Sequence, residues 1–195
     1  MKIIILDRDG VINQDSDSYV RNAQEWLPIA NSLDAIAKLC QHGFEVFIAT
    51  NQSGLGRGYF NQTDLNAMHK KMTDLVEQAG GHISGIFYCP HSPIDACDCR
   101  KPLAGLLDQI ENHTNRSVAG CPMVGDSLRD LQAGIAKDCT PLLVKTGKGQ
   151  KTAATLADQT DPKLRTAKIF ADLMAVANYL TSDNAWIHYD NWCEW

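Results

Sequence analysis

Short apolar runs alternating with segments of helical periodicity constrain this chain more than any other feature. Residues 3–6, Ile-Ile-Ile-Leu, carry no polar interruption, as expected of a strand covered on both faces. The same reading makes strands of residues 44–49, 83–88, 122–124 and 141–144, with a last edge strand at 168–170. Between them, apolar positions recur at helical spacing in 32–42, 65–76, 103–113, 128–137 and 171–180. Gly43 and Gly80-Gly81 act as stops, Thr63 or Asp64 as a cap, and Pro102 as a start. Strands alternating with helices of this length predict βαβ units and a parallel sheet. Residues 147–166 are polar and poorly periodic and read as a long loop with at most a helical turn.

In such a sheet, ligands sit at the carboxyl ends of the strands. Those ends carry Asp7-Arg8-Asp9-Gly10, Thr50-Asn51-Gln52-Ser53-Gly54, Arg100-Lys101, and Gly125-Asp126-Ser127 with Asp130 one helical turn on. Carboxylate oxygens on one edge suit Mg²⁺, which takes few protein ligands besides water and phosphate. Asp7 and Asp9 are two apart, which at an extended strand end puts both side chains on one side. One carboxylate can then attack while the other handles the proton of the leaving oxygen. An isolated Asp-x-Asp is as readily a solvated turn, and the other strand ends tip the balance toward chemistry. Asp130 can orient Lys101 or a metal-bound water, or act only as a first-turn acid on the helix dipole.

Cys89, His91, Cys97 and Cys99 form a Cys₃His set within eleven residues. Four such ligands in one loop match a closed, tetrahedral zinc site. A disulfide is the alternative, but it leaves His91 unexplained. With no ligand position open, the zinc is expected to be structural. It fixes the loop that delivers Arg100 and Lys101, which would otherwise cost entropy to order. The remaining cysteines, Cys40, Cys121, Cys139 and Cys193, have no ligand spacing and read as buried or incidental and, in a reducing compartment, as unbridged. His42, His69, His82, His113 and His188 read as surface or helix-end residues.

Leu6-Asp7-Arg8-Asp9-Gly10, Thr50-Asn51-Gln52-Ser53-Gly54, Cys99-Arg100-Lys101-Pro102, and Gly125-Asp126-Ser127 with Asp130 together resemble the four motifs of the haloacid dehalogenase superfamily. Within it the chain resembles the heptose bisphosphate phosphatases, with the histidinol-phosphate phosphatases as near relatives. The run from Asn51 to Tyr59 looks more like the former. The resemblance covers about residues 1–150 and implies a Rossmann-like haloacid dehalogenase fold, α/β, with helices flanking a central parallel sheet. It implies a Mg²⁺-dependent phosphatase on a sugar bisphosphate, in a step toward the heptose of bacterial surface polysaccharide. Asp7 would be the nucleophile that becomes an aspartyl-phosphate. Asp9 would protonate the leaving alcohol and then activate water. Thr50 and the backbone after it would bind phosphoryl oxygens, and Lys101 would balance their charge. Asp7, the Asp9 carbonyl and Asp126 would hold Mg²⁺, and the heptose and histidinol enzymes carry a zinc loop of this kind.

Members of the superfamily often close a cap domain over the site. The intervals from Asp7 to Thr50 and from Thr50 to Lys101 leave no room for one, so the fold is expected to be capless. Specificity then falls to loops 11–28, 52–62 and 88–100. Asp15, Ser16, Asp17, Ser18 and Tyr19 suit a polyol. Asn51, Gln52, Ser53 and Ser127 add polar groups, and Arg57 and Arg100 add cations for a second phosphate or several hydroxyls. A catalytically silent zinc-loop module is the alternative class, but such a form usually loses the nucleophile or a metal acid, and Asp7, Asp9, Lys101 and Asp126 are all present.

Lys and Arg number 18 against 23 Asp and Glu, a net charge of −5. That balance offers no general attraction for nucleic acid or anionic membranes. The first apolar run is too short for a secretory leader and nothing later approaches a membrane span, so the expected setting is cytoplasmic. The organisation expected is a phosphatase domain over 1–180, with its zinc loop at 89–101, and an aromatic tail over 181–195. That tail holds Trp186, Trp192 and Trp195; it either packs back on a monomer or makes a dimer contact.

Overall fold

The computed structural model describes residues 2–182. In chain order its elements are β1 (Lys2–Leu6), α1 (Ser32–Gln41), β2 (Phe44–Asn51), α2 (Ser53–Gly56), α3 (Gln62–Gln78), β3 (Gly85–Cys89), α4 (Gly105–Thr114) and β4 (Pro122–Gly125). They continue as α5 (Leu128–Ile135), β5 (Thr140–Val144), α6 (Gly149–Thr155), α7 (Pro162–Arg165), β6 (Lys168–Phe170) and α8 (Leu173–Leu180). The strands form one sheet in the order β3-β2-β1-β4-β5-β6. Every pairing is parallel.

Alternation along β1 divides the core. Ile4 and Leu6 join Val46, Ile48, Val124 and Leu142 on the face covered by α1, α3 and α8. Ile3 and Ile5 join Phe47, Ala49 and Met123 on the face covered by α4. Side chains of successive strand residues point to opposite faces, so a strand buried on both sides must be apolar throughout. β1 lies in the middle, between β2 and β4, where the strand order turns back. Crevices open at the carboxyl ends of strands at such a point.

Several boundaries differ from expectation, each for a local reason. The α3 cap is Asn61, whose side chain accepts from the Asp64 amide while Asp64 accepts from the Asn61 amide. This reciprocal box replaces the expected cap at Thr63 or Asp64. The single turn α2 was not anticipated. The stretch read as a loop holds α6 and α7, the latter started by Asp161 capping Lys163 N–H with Pro162 at its first position. No inserted domain interrupts the sheet among the described residues, as a capless fold requires. None of their helices is long and apolar enough to cross a membrane. Cys121 is disulfide-bonded, which corrects the reading of all four outlying cysteines as unbridged. Trp186, Trp192, Trp195, Cys193 and His188 lie outside the described residues.

Candidate active site

Asp7 follows β1 directly, and its amide donates to Val124 O at 2.9 Å, which ties it to β4. The chain turns sharply at Gly10, where φ is +84°. A Cβ at Gly10 would fall 2.1 Å from Asp126 Oδ2, and one at Gly147, 2.2 Å from the same atom. Only glycine therefore lets these two backbones close around the Asp126 carboxylate. Asp126 Oδ2 accepts from Lys148 N–H at 2.7 Å.

Lys101 arrives from the loop after β3. Its amide donates to Asn51 Oδ1 and its carbonyl accepts from Asn51 Nδ2, both at 3.0 Å. Its ammonium, 1% exposed, has three acceptors for three donors: Ala49 O at 2.7 Å, Asp7 Oδ1 at 2.9 Å and Asp130 Oδ1 at 2.6 Å. Burial alone would lower the lysine's proton affinity, but Asp130 and Asp7 raise it above the ordinary value. Asp130 does two things at once: its other oxygen accepts from the Ser127 amide and hydroxyl, at 2.9 and 2.6 Å. Asp130 thus both pairs with Lys101 and closes a capping box at the first turn of α5.

Asp9 faces a different set of partners. Arg8 Nη2 donates to both of its oxygens at 3.0 Å, Asn13 Nδ2 to Oδ1 at 2.8 Å and Gln52 Nε2 to Oδ2 at 2.9 Å. Burial pushes its carboxyl up, but Arg8 first and then the Asn13 and Gln52 hydrogen bonds hold it below the usual carboxylate range. Gln52 Nε2 also donates to Thr50 Oγ1 at 2.9 Å. Gln52, expected at the substrate, is buried and serves to orient Asp9 and Thr50; Asn51 likewise fixes Lys101.

Asp7, Asp126 and Asp130 each place a carboxylate oxygen within 4.8 Å of the others. Burial, and then neighbouring carboxylates, raises Asp126 to about 8. Burial likewise raises Asp7 to about 6, against the opposing charge of Lys101. Asp7 Oδ1 is buried, and the Lys101 ammonium is its one close polar contact among the described residues. Clustered carboxylates whose ionised forms are disfavoured fit an oxygen-seeking divalent cation.

The second cluster is Cys89, His91, Cys97 and Cys99. Cys89 Sγ lies 3.6 Å from His91 Nδ1 and 3.8 Å from Cys97 Sγ, and His91 Nδ1 lies 3.3 Å from Cys99 Sγ. A tetrahedral site with metal–sulfur bonds of about 2.3 Å and metal–nitrogen bonds of about 2.0–2.1 Å has edges of roughly 3.6–3.8 Å, so the spacing fits a four-ligand metal. All three sulfurs are free of disulfides. Gly56 N–H donates to Pro90 O at 2.9 Å and Arg100 Nη1 to His91 O at 3.2 Å, which locks this loop to the cavity wall.

A cavity of about 310 Å³ opens over these groups. Every residue expected to bind substrate lines it except Ser18. The Ser18 amide instead donates to Ser16 Oγ within its own turn. Asp15, read as a polyol ligand, is paired with Lys148 at 2.7 Å. Sequence reasoning missed Arg8, Asn13, Arg129 and Lys148. Arg8 could have been suspected from its place between two acids; the others carry no local signal. His69, read as a surface residue, has a buried Nε2 without a partner, and burial first, then Arg8, pushes it down to about 3.

A family model described as polynucleotide kinase 3 phosphatase matches residues 2–140. The D-glycero-beta-D-manno-heptose-1,7-bisphosphate 7-phosphatase of Pseudomonas aeruginosa is 50% identical over 178 residues, covering 91% of this chain and 97% of its own. That of Neisseria meningitidis serogroup A is 48% identical over 185 residues, covering 95% and 97%. The crystal structure of the B. bronchiseptica D,D-heptose 1,7-bisphosphate phosphatase, complexed with magnesium and phosphate, superposes with a TM-score of 0.86 at 50% identity, covering 92% of this chain and 98% of that one. The chain belongs to the polynucleotide kinase 3 phosphatase family of haloacid dehalogenase-like phosphatases, and within it to the group of the D-glycero-beta-D-manno-heptose-1,7-bisphosphate 7-phosphatases.

Proposed function

We propose that this phosphatase hydrolyses the 7-phosphate of D-glycero-D-manno-heptose 1,7-bisphosphate, with Mg²⁺ at the carboxylate cluster and a structural zinc in the Cys₃His loop. The observation that carries it is the division of labour between Asp7 and Asp9. Asp7 is held beside Lys101, and Asp9 is held by Arg8, Asn13 and Gln52. Two carboxylates on one cavity wall with different partners suit different roles.

Asp7 attacks phosphorus, the bond to the sugar oxygen breaks, and Asp9 gives that oxygen a proton. The negative charge of the incoming phosphate beside Asp9 favours the protonated form this step needs. Asp9, now a carboxylate, takes a proton from water as the water attacks the aspartyl-phosphate, and Asp7 is released with inorganic phosphate. Thr50 donates to a phosphoryl oxygen, and Lys101 exchanges one of its present acceptors for another. Bound Mg²⁺ would neutralise phosphoryl charge, held by Asp7, Asp126 and the Asp9 carbonyl. Arg57 and Arg100 face the rest of the substrate, and guanidinium forks suit its hydroxyls. The names of the relatives support the heptose in particular.

The test is kcat/KM, with Mg²⁺ present, for the heptose bisphosphate beside L-histidinol phosphate and fructose 1,6-bisphosphate. The heptose is expected to lead by at least about a hundredfold, since a site built on charged contacts discriminates strongly. Equal or faster hydrolysis of histidinol phosphate overturns the substrate. Substantial turnover by Asp7→Asn, nearly isosteric but a poor nucleophile, overturns the mechanism.

A further inference from the structure

Arg129 stands in the first turn of α5, between Leu128 and Asp130, and lines the cavity over Asp7. By ordinary rules a cation is misplaced there, because the aligned peptide dipoles already put partial positive charge at that helix end. Among the described residues nothing offsets it: Arg129 is exposed and has no hydrogen-bond or ion-pair partner there. Two of the nearby carboxylates are already engaged. Asp130 is shared between Lys101 and Ser127, and Asp126 Oδ2 accepts from the Lys148 amide. Lys148, on the same cavity wall, is close enough for Arg129 to act on it electrostatically. Lys148 has Asp15 as a partner; Arg129 has none.

Two cations and a helix N-terminus on one rim repel each other unless an anion lies between them. Arg57 and Arg100 come from the β2 and β3 side of β1, whereas Arg129 and Lys148 come from the β4 and β5 side. The transferred phosphate belongs over Asp7, so a cation carried on the β4 side of β1 is placed for a different part of the substrate. We propose that Arg129 is a specificity-determining residue whose guanidinium contacts the second, untransferred phosphate of a sugar bisphosphate. This rests on the bisphosphate reading above.

The experiment compares the heptose 1,7-bisphosphate with the heptose 7-phosphate, the same sugar lacking the second phosphate. In the unaltered enzyme the bisphosphate is expected to have the higher kcat/KM. In Arg129→Gln the ratio of the two should fall about tenfold to a hundredfold, the range of a lost charge-assisted hydrogen bond, and the fall should lie mainly in KM. Arg129→Lys should recover part of it, since the charge remains and the fork is lost. A fall in both substrates alike, leaving the ratio intact, would mean that Arg129 only supports the acid cluster, and overturns the proposal. So does an Arg129→Gln enzyme with no change. If the unaltered enzyme does not prefer the bisphosphate, the substrate reading itself fails, and the role of Arg129 with it.

Discussion

Arg8 closes on the carboxylate of its own sequence neighbour, Asp9, with Nη2 3.0 Å from both oxygens. In an extended strand such neighbours point to opposite faces; here the chain has left β1 and turns at Gly10. The guanidinium is 1% exposed, and its charge is the main reason the Asp9 carboxyl stays low. Arg8 thus keeps Asp9 ionised, as the proposed water-activating step requires.

Replacing Arg8 by Met should lower kcat about tenfold to a hundredfold, within the range that acid–base groups contribute. With the cation gone the Asp9 carboxyl rises, so the acidic limb of the kcat profile should move to higher pH. Arg8→Lys should fall between. A profile with an unmoved acidic limb would contradict the assignment.

Lys101 balances two buried carboxylates, so its loss should damage stability and activity together. Lys101→Met leaves Asp7 and Asp130 facing each other unpaired, at a cost of about 3–5 kcal/mol in urea unfolding. Turnover should fall at least about a hundredfold, as when a charge-stabilising donor is removed. Adding Asp130→Asn should restore part of the stability and none of the turnover.

The acid cluster makes a signed prediction for pH. Asp7 and Asp126 have folded values of about 6 and about 8, both above the ordinary 3.8. For a raised carboxyl the folded chain binds more protons than the unfolded one, so stability is greatest below the ordinary value and is lost as pH rises through the folded one. Thermal melts in a metal chelator should therefore show Tm falling from about pH 5 to pH 8. Mg²⁺ binds the ionised form, so it should raise Tm more at pH 8 than at pH 6. Asp126→Asn should flatten the fall and remove most of the Mg²⁺ effect. A chelated protein with a flat profile would count against the cluster.

The Cys₃His loop should hold one zinc per chain in protein purified without added metal, as read by elemental analysis. Cys97→Ser should lose it, lower Tm, and reduce kcat/KM at least about tenfold, because the loop that carries Arg100 and Lys101 would have to be ordered by each substrate. Full activity after complete zinc removal would contradict a structural role.

The strands and the principal helices were legible in the residues themselves, because burial on both faces demands unbroken apolar runs and an amphipathic helix demands its period. So were the Cys₃His loop, whose ligands lie close along the chain, and the groups at the strand ends. Asn61 as a cap was missed because Thr63 and Asp64 offer the same chemistry a few residues away. The helices α6 and α7 were missed because short polar helices are decided by contacts and caps rather than by pattern.

What the sequence alone determined was therefore whatever depends on neighbours in the chain: the parallel α/β plan, the list of reactive groups, and the metal-loop spacing. Only the tertiary structure decided their partners. It gave Gln52 to Asp9 and Thr50, Asn51 to the backbone of Lys101, Asp15 to Lys148, and Asp130 to both Lys101 and Ser127. It also brought Arg129 to the cavity and turned Ser18 away. The physical reason is that hydrogen bonds and ion pairs act over a few ångströms of space, and residues 50 positions apart reach that range only when the sheet sets β1 between β2 and β4.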